Sequence, residues 1–182
     1  MESKGLRNAA PGSQNIHKSF FPFLILPFAL YLSSCAYSFT GSSVPPHLKT
    51  IAIPLFDDQS GFGEAGLREQ FTNKLIDRFL QDNSLEIAEM KESDSILEGV
   101  IIAVRDDPAV VERGERVSKR RVTITVKVTY RDMKLRKQVW EKQLSNWGDY
   151  EIGSGPAQRQ EAITAAIDKL SEDILLDTVS GW

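Results

Sequence analysis

The stretch Arg121-Val122-Thr123-Ile124-Thr125-Val126-Lys127-Val128-Thr129-Tyr130 decides the fold. Val122, Ile124, Val126, Val128 and Tyr130 fall on one face, and Thr123, Thr125, Lys127 and Thr129 on the other. That alternation is the period of a half-buried strand. Extended backwards, the strand runs from Val117 to Tyr130. Ile96 to Arg105 reads as its hairpin partner. Pairing about Arg113-Gly114 sets Val104 against Val122 and Val100 against Val126, because matching apolar faces fix register.

Working outward, Arg131 to Lys137 is a charged turn and Val139 to Tyr150 a further strand with poor alternation. Upstream, Thr50 to Phe56 is a strand with an apolar odd face up to Ile53. Pro54 cannot donate to a ladder, so this strand lies at an edge or ends there. Asp57 to Gly61 reads as a turn, and Leu85-Glu86-Ile87 as a short strand. Leu67, Phe71, Leu75 and Phe79 recur every four residues within a predicted helix from Glu64 to Gln81. Gly153-Ser154-Gly155-Pro156 opens a second helix, with Ile163, Ala166, Ile167, Leu170, Ile174 and Leu175 as its stripe. Trp182 is expected to pack back on the fold. Two amphipathic helices need a shared apolar surface, and one face of a sheet supplies it. The expected fold class is α+β: a two-layer sandwich, with two helices on one face of a mostly antiparallel four- to five-stranded sheet.

The chain has 182 residues, one cysteine, two histidines and a net charge of −3. The length suits one domain with a sizeable core. One cysteine excludes internal disulfides and multi-cysteine zinc sites. The acidic balance argues against broad nucleic-acid binding.

Residues 1–34 read as an address. A lightly basic start precedes the apolar run Phe20 to Leu32, which contains Pro22 and Pro27. Thirteen helical residues rise about 20 Å, short of a hydrocarbon core of about 30 Å. A short apolar centre followed by small residues is a secretion signal. Leu32-Ser33-Ser34-Cys35 resembles the bacterial lipobox. That resemblance implies cleavage before Cys35 and acylation of its sulfur and amine, with palmitate-like chains as a membrane anchor; Ala36 next to it leans towards the outer membrane. The expected organisation is therefore a signal peptide over 1–34, an extended lead over 35–48 and one α+β domain over 49–182.

Chemistry is sparse in this sequence. After processing His47 is the sole histidine, in a Pro-rich lead, and no nucleophile turn accompanies it. It reads as an exposed linker histidine. Asp57-Asp58 lacks the further spaced oxygens of a cation loop. Gly61-Phe62-Gly63 lacks the lysine of a phosphate loop. No enzyme activity, metal or cofactor is expected.

One cluster stands out. Arg113, Arg116, Lys119, Arg120 and Arg121 place five cations in nine positions of an otherwise acidic chain. The strand's core side ends near Arg121, so a hairpin from about 105 to 121 is expected to project beyond the sheet with both faces polar. Arginine forks suit phosphate and carboxylate groups. The five cations are the candidate ligand- or partner-binding residues. The alternative is a solvated tip that blocks edge pairing.

Cys35-Ala36-Tyr37-Ser38-Phe39, Val44-Pro45-Pro46, Lys49 to Ile53, Leu97-Glu98-Gly99 and Arg121 to Val128 together resemble LptE-type lipopolysaccharide-assembly lipoproteins, notably those of Bacteroidetes. The resemblance implies a two-layer α/β sandwich in the outer membrane, acting as plug and assembly partner of a β-barrel translocon, LptD. Its implied partners are that barrel, lipopolysaccharide and the membrane reached through Cys35. The stretch Ile51 to Phe56 ahead of the first helix is also similar to curli-type secretion-channel lipoproteins, which build their own oligomeric pore. A surface-exposed binding lipoprotein is the third reading.

Overall fold

The computed structural model describes residues 44–109, 118–180 and 182. Six strands and two helices follow in the order β1 (Thr50–Ala52), β2 (Asp57–Asp58), α1 (Leu67–Asp82), β3 (Glu86–Ile87), β4 (Ser95–Pro108), β5 (Lys119–Asp132), β6 (Lys137–Glu151) and α2 (Pro156–Ser180). The sheet runs β3-β1-β4-β5-β6, with β2 paired to β4 off that path. The α+β sandwich is as the periodicity implies, but the sheet is larger and mixed. β4, β5 and β6 form an antiparallel meander. β1 is parallel to both β3 and β4, and β2 is parallel to β4.

The parallel half has a clear cause. β1 ends at Ala52, two residues before Pro54, so the chain leaves the sheet, rejoins β4 at Asp57–Asp58 and crosses over through α1. A helical crossover returns a chain parallel to the strand it left. Asp57–Asp58, expected as a turn, is therefore a strand, and the turn follows it: the Asp58 carboxylate accepts from the Ser60 N–H at 2.9 Å.

Val122, Ile124, Val126, Val128 and Tyr130 are all buried and face both helices. Against them α1 sets Leu67, Phe71, Leu75 and Phe79, and α2 sets Ile163, Ala166, Ile167, Leu170 and Ile174. Asn83 stops α1 in the left-handed conformation, its N–H bonded to Phe79 O. The helices are tied on their wet side by Asp168, which pairs with Lys74 and Arg78, each at 2.7 Å. Among the described residues, every buried core side chain lies between Leu48 and Thr178.

The hairpin register differs from expectation. Val104 faces Ile124, Asp106 faces Val122, and Val100 faces Lys127. The slip is already two residues at Val104, on the hairpin side, and a bulge between Ile101 and Ala103 changes it to one, which takes Val100 off the core face. The bulge admits both Ile101 and Val104 to the core, three positions apart, which a period of two forbids. Two glycines make room for close approach. A Cβ on Gly99 would lie 1.9 Å from the Phe56 ring, and one on Gly148 would lie 2.1 Å from the Ala162 carbonyl oxygen of α2.

Candidate functional site

The two ends of the β4–β6 meander carry different chemistry. At the hairpin end stand three of the five candidate cations, Lys119, Arg120 and Arg121. Arg113, Arg116 and the lipidation candidate Cys35 lie outside the described residues. The expected free arm from 105 to 121 is corrected in one respect. β6 runs alongside β5 up to the pair Lys119–Glu151, so positions 105–108 and 119–121 belong to a three-stranded sheet.

Arg120 continues the core-facing alternation of Val122 and Ile124 by one step. A charge there needs a counter-charge, and Asp106 provides it. Arg120 Nε donates to Asp106 Oδ1 at 2.8 Å and to the Tyr150 hydroxyl at 3.1 Å. The Tyr150 hydroxyl donates to Asp106, at 2.8 Å to Oδ2. From α2, Arg159 Nε donates to Asp106 Oδ2 at 3.1 Å, while its Nη1 pairs with Glu64 at 2.8 Å. The Arg159 guanidinium also lies 5.1 Å over the Phe62 ring. Burial raises the Asp106 pKa, but the Tyr150, Arg120 and Arg159 hydrogen bonds outweigh it and hold the carboxyl below its ordinary range. This hub joins β4, β5, β6, α2 and the loop before α1, and it closes the open end of the core.

Arg121 lies on the opposite face. It forks onto Asp149 at 2.6 and 2.9 Å and stacks 4.8 Å from Trp147. Lys169 reaches the same ring and donates to the Trp147 carbonyl at 2.8 Å. Arg121 lowers the Asp149 pKa by hydrogen bonding, against burial, with Lys169 and Lys119 adding charge attraction. Arg120 and Arg121 are thus engaged by the fold itself. Sequence reasoning named these cations but missed Asp106, Tyr150, Arg159 and Glu64. The available signal was the alternation itself, which carries Arg120 onto the core face.

At the opposite end the described part of the lead, residues 44–48, is held against the sheet. His47 is not a free linker residue. Its Nε2 sits 2.6 Å from Asp132 Oδ2, a carboxylate only 3% exposed. Lys134 donates to the His47 carbonyl at 2.7 Å and pairs with Asp94 at 2.9 Å. The Asp132 carboxyl is pushed up by burial, then held below its ordinary range by the Leu135 N–H and by His47. Among the described residues no group of His, Cys, Asp and Glu is arranged to hold a metal ion, and no helix is long and apolar enough to cross a membrane.

The family model for LptE, lipopolysaccharide assembly, matches residues 48–178, from the pinned lead to the end of α2. The chain belongs to the LptE family. No curated protein shows significant similarity to it. Among solved structures, protein XCC0632 from Xanthomonas campestris is similar in fold. It has TM-score 0.55 and 13% identity, covering 75% of this chain and 89% of that one. Rare lipoprotein B from Shewanella oneidensis gives TM-score 0.47 and 11% identity, covering 71% and 92% of the two chains. A minor lipoprotein from Acinetobacter baumannii gives TM-score 0.47 and 11% identity, covering 75% and 94%.

Proposed function

We propose that this LptE-family chain is an outer-membrane lipoprotein, anchored through acylated Cys35, whose folded part plugs and helps assemble an LptD-like β-barrel that passes lipopolysaccharide. The observation that carries the reading is the family match over residues 48–178. The open face of the meander supports it. Thr123, Thr125, Lys127 and Thr129 line that face, where Lys127 pairs with Glu141. Such a surface suits a wet barrel lumen. A self-made pore of the curli type would need a continuous apolar face over about 9–11 residues of each strand, which this polar face does not offer.

The chain acts in this reading by occupying and shaping a partner, with no catalytic step. His47 is committed to holding the lead against Asp132. The basic hairpin end supplies the contact with barrel or anionic lipid, through Lys119 and through Arg113 and Arg116. Depleting the protein from cells tests the reading. Lipopolysaccharide at the cell surface and the amount of folded, heat-modifiable barrel should fall together. Normal levels of both after depletion would refute it.

A further inference from the structure

We propose that the β5–β6 turn is an interfacial foot that seats on anionic phospholipid headgroups of the leaflet holding the anchor. The proposal rests on the reading that Cys35 is the point of attachment. The turn Arg131-Asp132-Met133-Lys134-Leu135-Arg136-Lys137 carries four cations and one carboxylate in a chain whose net charge is −3. That carboxylate, Asp132, is buried and turned to His47 and the Leu135 N–H. Met133 and Leu135 point outward, 44% and 65% exposed. Large apolar side chains alternating with cations are what an interface-seeking segment presents, apolar tips in the acyl boundary and charges at the phosphates.

Two further observations agree. A cavity of about 300 Å³ opens at the turn, lined by Arg131, Asp132, Met133, Arg136, Lys137 and Gln138; Arg131 also pairs with Glu98 at 3.5 Å, so Arg136 and Lys137 are the cations that would meet a headgroup phosphate. Arg136 also holds a left-handed backbone, φ 52°, where glycine or asparagine is the easier choice.

The covalent chain points the turn at the membrane. The lead is bound to the turn through His47–Asp132 and Lys134–His47 O. Residues 36–43 separate Val44 from Cys35, and eight residues span at most about 30 Å. The tether therefore holds this end, and not the hairpin end, within reach of the leaflet. The neighbouring loop adds exposed Met90 and Lys91 but also Glu89 and Glu92, so the turn itself carries the excess positive charge.

The chain from Cys35 to Trp182, which contains every core residue among the described residues, offers a direct test. Its one thiol is coupled to a maleimide lipid in vesicles of phosphatidylethanolamine and phosphatidylglycerol, 7:3. This fixes the tether whether or not cells acylate Cys35, and the mass of the native protein reports acylation separately. Oxidation of Met133 by chloramine-T is followed by peptide mass. The rate should fall at least about tenfold relative to the untethered chain, and much less on phosphatidylcholine vesicles. Arg136→Ser with Lys137→Ser should restore fast oxidation on the anionic vesicles, while inorganic phosphate should not. Amine labelling of Lys119, at the far end, should not change. Equal Met133 rates with and without vesicles, or protection indifferent to lipid charge and to the double substitution, would overturn the proposal.

Discussion

Asp106 shows how one carboxylate can hold an end of a sandwich closed. Its folded pKa is depressed below the unfolded value of about 3.9. The stabilisation is therefore present above that pH and lost as pH falls through the folded value. Asp106→Asn should cost about 1–3 kcal/mol at pH 7, in the range for hydrogen bonds to charged groups. It should also flatten the loss of stability below about pH 4; urea denaturation at pH 7 and pH 3 measures both. Arg120 and Lys119, one residue apart, should behave differently: Arg120→Ser should lower the melting temperature and Lys119→Ser should not, because only Arg120 serves the hub. Serine throughout the basic run would confound binding with folding for that reason. Tyr130 is a third case. Its hydroxyl is buried close to Ser95 without a hydrogen bond of good geometry, and burial pushes its pKa up to about 12. Below about pH 10 the phenol is protonated in both states. Between about 10 and 12 the unfolded chain ionises first, so stability falls with rising pH. Tyr130→Phe should change stability at pH 7 by under about 1 kcal/mol and remove that alkaline loss. A large loss at neutral pH would show that the hydroxyl is bonded after all.

Where α2 crosses β6 the two backbones meet without an intervening side chain. The Gly148 Cβ position is filled by the Ala162 backbone, which cannot rotate away, whereas the Gly99 position is filled by the Phe56 ring. Gly148→Ala should therefore cost about 2 kcal/mol or more, within the range for overpacking, and more than Gly99→Ala; denaturation midpoints compare the two. β5 and the two helices were legible because their periods are long and clean. β5 alternates without a break from Val122 to Tyr130, and α1 repeats an apolar residue every four positions. Of the parallel strands, β1 and β3 were read as short strands, but β2 was read as a turn and the parallel pairing was not legible. β1, β2 and β3 are two or three residues long, too short for a period, and their pairing depends on the crossover through α1. The misplacing of Val100 opposite Val126 came from the bulge at Ile102, which no alternation announces. At the site, the sequence exposed the cations but not the carboxylates that hold them, since Asp106 and Arg120 are 14 positions apart and meet only through the register.

The sheet is polar in the sense of having two unlike ends. β5 is 14 residues long, roughly 45 Å at 3.3 Å per residue, and separates the turn beside the lead from the basic hairpin end. In the proposed reading, with residues 44–48 tied at one end, the hairpin end projects away from the anchoring leaflet, towards the proposed barrel partner or anionic lipid. Cys35→Ser should release the chain from membranes or leave an uncleaved precursor; fractionation and the mature mass check this, and normal size with full membrane retention would contradict it. The central claim is the barrel partnership. It is tested most directly by affinity purification of the full chain from detergent-solubilised membranes, with the stoichiometric partner identified by mass spectrometry. The account predicts one large outer-membrane β-barrel at equal stoichiometry; a ring of the chain with itself, or the chain alone, would contradict it.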